Sequence, residues 1–185
     1  MIAVAGCSAD PRLEANRAVE SANEEISAHD ELFDEARNTY SEARQSIRGS
    51  SESTEAESTE AEATGAEGTE VESISEARGT LEEASGRLEN AREEISGIRD
   101  LDVSNELLDY SRTLDGALSA QIRAEEREIA FYEVLAEDPA LEENRDRAIG
   151  LLTEAEDSYA EAESGYREAD QIADSNPELV APENG

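Results

Sequence analysis

Residues 74–98 read ISEARGTLEEASGRLENAREEISGI, and the apolar positions Ile74, Ala77, Leu81, Ala84, Leu88, Ala91, Ile95 and Ile98 are separated by steps of three and four residues in strict alternation. At that spacing the side chains share one narrow stripe of an α-helix, and alternating a bulky residue with alanine lets a partner helix approach closely. A stripe this regular predicts a helix over about 70–98 whose seam, centred on Leu81, Leu88 and Ile95, is satisfied by another helix.

The same rhythm appears on both sides of this stretch. Upstream, Asp10-Pro11 is a helix-start signal, since Asp accepts hydrogen bonds from free first-turn amides and Pro at the first helical position sacrifices no donor. From there Ala15, Val19, Ala22, Ile26, His29, Phe33, Ala36, Tyr40, Ala43 and Ile47 keep the spacing, with Ile26, Phe33 and Tyr40 as bulky seam residues, until Gly49-Ser50-Ser51 predicts a stop near Arg48. Downstream, Leu141, Arg145, Ala148, Leu152, Ala155, Tyr159, Ala162, Tyr166, Ala169 and Ala173 form another seam, with Leu152, Tyr159 and Tyr166 as its bulky members. Between these lies a less regular stripe, Leu107, Tyr110, Leu114, Leu118, Ile122, Glu125, Ile129, Tyr132 and Ala136, capped at Asp102 or Ser104 and running to about Glu137. Its three successive four-residue steps from Tyr110 to Ile122 are a stutter that locally unwinds a supercoil. Glu125 falls on this stripe and is expected at an edge, where its carboxylate reaches solvent. Asp138-Pro139 repeats the opening device, so the fourth helix is expected to follow the third after almost no loop, as its antiparallel neighbour.

The expected fold is therefore all-α: an elongated antiparallel four-helix bundle or a pair of coiled-coil hairpins. Residues 1–9 form a remnant of a signal segment, 10–48 the first helix, 70–174 the other three helices of the same bundle, and 175–185 a tail. Residues 49–69, GSSESTEAESTEAEATGAEGT, contain a duplicated Ser-Thr-Glu-Ala-Glu unit and no bulky apolar side chain, so they are expected to be a solvated acidic linker, with Glu and Ala able to lengthen either flanking helix. Gly79 and Gly86 fall on the outer face of the second helix, where a close backbone contact is one reading and simple tolerance the plainer one.

Charge narrows the function classes. The 185 residues carry 48 acidic and 15 basic side chains, a net charge of -33, and every basic residue is Arg. Nucleic-acid binding is disfavoured, because such affinity comes largely from cations that neutralise phosphates. Anionic membranes repel such a fold for the same reason. Self-repulsion on this scale destabilises a compact state in dilute buffer, whereas at 1 M salt the Debye length is about 3 Å and the repulsion nearly vanishes. The Glu-rich, Lys-free composition is similar to that of proteins from extreme halophiles. With no Trp, two Phe and five Tyr, large aromatic anchors are scarce. The acidic faces are expected to bind Mg²⁺ or Ca²⁺ weakly and collectively, since no segment has the Asp/Asn-and-Gly pattern of a dedicated calcium loop.

Near the amino terminus, Val4-Ala5-Gly6-Cys7 places an aliphatic residue and two small residues before the one cysteine of the chain. This tetrapeptide resembles the lipobox of prokaryotic lipoproteins. The resemblance implies that Cys7 becomes the lipid-modified first residue of the mature protein, and it carries the expectation of a charged, apolar in-frame extension upstream of Met1.

Catalytic constellations are scarce. One histidine, His29, rules out the paired Glu-x-x-His motifs of a four-helix di-iron site, because position 26 is Ile and no second histidine exists. His29 on its seam reads as a polar, register-setting residue. Phosphate-binding Gly-rich loops, the Gly-x-Ser-x-Gly elbow and HExxH are missing. The sequence thus predicts no enzyme and no cofactor. It predicts a lipid-anchored, cell-surface helical scaffold or partner-binding protein of a salt-adapted cell, touching the membrane only through Cys7 and meeting a protein partner or another copy through its seams. The other reading is a soluble cytoplasmic coiled-coil protein.

Overall fold

In the computed structural model the backbone is described for residues 10–53 and 63–177, and side chains for 10–45 and 70–177. The described residues form four long helices, α1 (Pro11–Ser53), α2 (Ala63–Gly97), α3 (Asn105–Glu137) and α4 (Arg145–Ser175), with a 3-10 turn over Ile98–Asp100. They make an elongated antiparallel bundle and contain no strand. None of the helices among the described residues is long and apolar enough to cross a membrane.

Local chemistry accounts for most of the helix ends. Asp10 caps α1, its Oδ1 accepting from the Arg12 amide at 3.0 Å and its carbonyl from the Glu14 amide at 3.1 Å. Ser104 caps α3, its Oγ accepting from the Leu107 amide at 3.3 Å. Where α2 ends, the buried Ser111 hydroxyl of α3 donates to the Ile95 carbonyl at 2.9 Å, supplying a partner for one of the last-turn acceptors.

Two boundaries differ from the sequence expectation. Glu and Ala in the acidic tract favour helix enough for α1 to continue past Gly49 to Ser53 and for α2 to begin at Ala63; residues 54–62 of the tract lie outside the described residues. The second difference is at Asp138-Pro139, which does not open α4. Instead, residues 138–144 form a connection organised by the Asp138 carboxylate, which accepts from the amides of Glu142, Glu143 and Asn144 at 2.9–3.0 Å. Those amides, Glu143's above all, hold the Asp138 carboxyl below its ordinary pKa. Leu141 adopts a left-handed conformation, φ 53°, to make the turn, which costs on the order of 1 kcal/mol for a residue with a side chain. An Asp side chain satisfies loop amides as readily as helix amides, so the dipeptide alone did not distinguish the two.

Helix neighbours run in chain order. α1 packs on α2, α2 on α3 and α3 on α4, while α1 and α4 are joined by side chains rather than by close backbone approach, with the Phe33 and Tyr159 rings meeting edge-on at 6.1 Å. One apolar cluster fills one end of the bundle, from Ala15, Val19 and Ala22 through Leu88–Ile98 and Leu107–Ile122 to Ala169. A second fills the other end, around Ala36, Ala43, Ile74–Ala84, Phe131–Leu135 and Ala148. His29, Glu125 and Glu128, all buried, lie between the two clusters, so the core is interrupted midway by polar side chains.

The α2 seam lies wholly inside, with Leu81, Leu88 and Ile95 fully buried. On α4 only the alanines Ala148, Ala155, Ala162 and Ala169 are buried. Leu152, expected in the seam, is instead 38% exposed, and Leu151 packs against the core in its place. α4 rests on one neighbour, so its buried stripe is narrower than the heptad pattern implies. Arginines tie neighbouring helices at the surface: Arg87 to Glu25 at 3.3 Å, Arg123 to Glu161 at 2.9 Å, Arg127 to Glu154 at 2.8 Å, and both Arg92 and Arg99 to Asp115. Such exposed pairs each contribute up to about 1 kcal/mol.

Candidate functional site

On α3, Gln121, Glu125, Glu128 and Tyr132 follow steps of four, three and four, which places them on one helix face. α1 presents His29, Phe33, Arg37 and Tyr40 to that face, and α4 reaches over it with Tyr159 and Tyr166, seven residues apart. Two hydrogen-bonded knots result.

The first knot centres on Glu125, expected at an exposed edge but in fact fully buried. That burial has a physical cause: His29 on α1 supplies the partner that a buried carboxylate needs. His29 Nε2 lies 2.7 Å from Glu125 Oε1, and Nδ1 lies 3.0 Å from Asp30 Oδ1. Gln121 Nε2 donates to the same Glu125 oxygen at 3.2 Å and sits 3.2 Å from His29 Nε2, while Tyr166 OH donates to Gln121 Oε1 at 2.6 Å. Glu125 Oε2 has no hydrogen-bond partner. Each imidazole nitrogen faces a carboxyl oxygen, an arrangement that favours the doubly protonated ring, since an ionised carboxylate only accepts. Burial pushes its pKa down, but the hydrogen bond and charge of Glu125, joined by those of Asp30, outweigh burial and hold it above the ordinary 6.5.

The second knot centres on Glu128. Tyr159 OH donates to its Oε2 at 2.7 Å, Tyr132 OH to its Oε1 at 2.9 Å, and Arg37 Nη2 approaches Oε2 at 3.4 Å. The Arg37 guanidinium stacks 4.3 Å above the Phe33 ring and 5.5 Å from the Tyr159 ring, so the cation is held by aromatic faces as well as by charge. Phe33 in turn stacks on His29, centroid to centroid 5.4 Å, which links the knots. Burial, followed by the nearby carboxylates, raises the pKa values of Tyr132, Tyr159 and Tyr166, keeping these phenols protonated as donors. Tyr40, whose pKa burial also raises, closes the stack against Tyr132 at 4.8 Å.

Above these knots, between α1 and α4, runs a groove of about 610 Å³ lined by Phe33, Arg37, Gln121, Tyr159, Tyr166 and Arg167 among others. The groove wall is therefore the outer side of the polar stack. Among the described residues no group of three or more His, Cys, Asp or Glu is arranged to hold a metal ion.

Of the seam residues read from the sequence, the structure gathers Phe33, Tyr40, Tyr159 and Tyr166 around the stack, each half-buried, and keeps Leu81, Leu88 and Ile95 apart in the apolar core. Ile26 is half-buried beside the first apolar cluster. Cys7 and the lipobox lie outside the described residues. Sequence reasoning missed Gln121, Glu128 and Arg37. The available signal was the polar pattern at 121, 125, 128 and 132, which has seam spacing on a helix whose inward stripe is otherwise apolar. With the site described, comparison with known proteins adds no relative: no family model, no curated protein and no solved structure matches the chain.

Proposed function

We propose that the protein is a non-catalytic helical partner-binding scaffold, anchored by lipid on Cys7 at the surface of a salt-adapted cell. The observation that carries the partner-binding reading is the open α1–α4 side: the α2 seam is buried within the chain, while Phe33, Tyr159 and Tyr166 line a groove that no further helix among the described residues covers. Aromatic rings half-exposed in a groove are the side chains that anchor partners. The net charge of -33 supports the salt-adapted setting, because screening at molar salt removes most of the self-repulsion.

Cell fractionation of the native host tests the address. Recovery in the envelope fraction, abolished by Cys7→Ser, is the expected result; a soluble protein with an unlipidated amino terminus favours the cytoplasmic coiled-coil reading instead. Light scattering in multimolar KCl reports whether the chain pairs with a second copy, and loss of a captured partner on Tyr166→Ala places binding at the groove.

A further inference from the structure

We propose that the His29–Glu125 pair is a proton-operated clamp: with its proton in place it locks α1 against α3 and α4, and loss of that one proton releases α1 from the α4 side and widens the groove.

The geometry supplies each part. α1 has a close backbone partner in α2, but its ties across the bundle are side-chain contacts: His29 to Glu125, Arg37 to Glu128, Phe33 to Tyr159 and Tyr40 to Tyr132. Gln121 couples the pair to the groove wall, since its amide nitrogen serves Glu125 while its oxygen accepts from Tyr166. The ionised groups nearest His29 are acids, while Gln121 and the α4 phenols around it are neutral donors. Its own helix contributes Asp30 and, one turn earlier, Glu25, which α2 occupies with Arg87; α3 contributes Glu125 and Gln121, with Glu128 on the next turn; α4 contributes the Tyr166 and Tyr159 phenols. Arg37 is already engaged with Glu128.

The proton that leaves is the one on Nδ1. Its partner Asp30 is 69% exposed and leads to bulk water, whereas Nε2 faces the fully buried Glu125. Base in solution takes that proton, and the pair passes from net zero to one negative charge. That charge is buried, beside an Oε2 with no donor, and Nδ1 then turns a lone pair toward the Asp30 carboxylate. Moving α1 outward hydrates Glu125 and relieves both conflicts.

The test uses the full chain in multimolar KCl, where one histidine gives one assignable imidazole NMR signal. Hydrogen exchange of α1 residues 26–40, taken as a ratio to α2 residues 74–95 to cancel the intrinsic pH dependence, reports release. The imidazole midpoint is expected above 6.5, with the opening ratio rising about tenfold per pH unit between 6.5 and that midpoint and levelling beyond it. Glu125→Gln keeps an acceptor but removes the charge, so it is expected to lower the midpoint and flatten the ratio; His29→Gln is expected to flatten the ratio as well. An imidazole midpoint at or below 6.5 in the natural chain, or a ratio that stays level through the titration, overturns the clamp even if neither variant folds.

Discussion

α2 and α4 carry nearly the same bulky-and-alanine rhythm, yet they are used differently. Along α2 both the bulky residues and the alanines from Ile74 to Ile95 are buried; along α4 only the alanines are, with Tyr159 and Tyr166 half-exposed and Leu152 and Ile149 facing solvent. Heptad spacing specifies which residues share a stripe, but the width of stripe that becomes buried depends on the number of neighbours. α2 lies between α1 and α3, whereas α4 rests on α3. The alanine face of α4 brings the two backbones close, and a Cβ placed on Gly165 would lie 2.9 Å from the Ala117 Cβ. That close approach carries the Tyr159 and Tyr166 phenols inward to Glu128 and Gln121.

The contrast can be broken most sharply in α2. Leu88→Ala removes a fully buried side chain between two neighbours and is expected to cost about 2–5 kcal/mol in denaturant unfolding at high salt. On α4, Gly165→Ala is expected to cost about 1–3 kcal/mol by the same measurement, because the added methyl meets Ala117 on a packed backbone. An unchanged midpoint for that variant means that α4 stands farther from α3 than described. Gly79→Ala should act in the opposite direction: nothing lies within 4 Å of the added methyl, so a gain of about 0.5–1 kcal/mol from helix propensity is expected, read as a raised melting temperature. The smallest effect belongs to Leu152→Ala, within about 0.5 kcal/mol of zero, since the side chain is 38% exposed; a loss comparable to that of Leu88→Ala would restore Leu152 to the seam.

pH separates the two regions as well. A histidine whose pKa is raised on folding contributes stability that is complete below the unfolded value near 6.5 and is lost as pH rises through the folded value. That loss belongs to the α1–α3–α4 polar stack and leaves the apolar α2 seam untouched.

Much of this is legible in the sequence. The three-four spacing marks the helices and inward positions such as Leu81, Leu88 and Ile95, and of the two caps the sequence offers α3, Asp102 and Ser104, the structure uses Ser104. The glycines were harder to read. Gly79 and Gly86 drew attention by their spacing, but the close backbone contact is at Gly165, because a glycine matters where another helix presses on it and the facing helix is set by packing. Glu125 was misjudged for the same reason. A carboxylate on an apolar stripe is expected to escape to water unless it has a partner, and the partner, His29, is 96 residues away in the chain.

The sequence by itself determined that this chain is helical, acidic throughout, devoid of lysine and zipped by narrow alanine-rich seams, because periodicity and charge are local properties. Only the tertiary structure decided that α4 would lie on one neighbour, that the core would be interrupted by His29, Glu125 and Glu128, and that a groove would remain between α1 and α4. Those outcomes depend on which helix faces which and at what height, and a buried ion pair forms only when two distant registers bring its members to the same level.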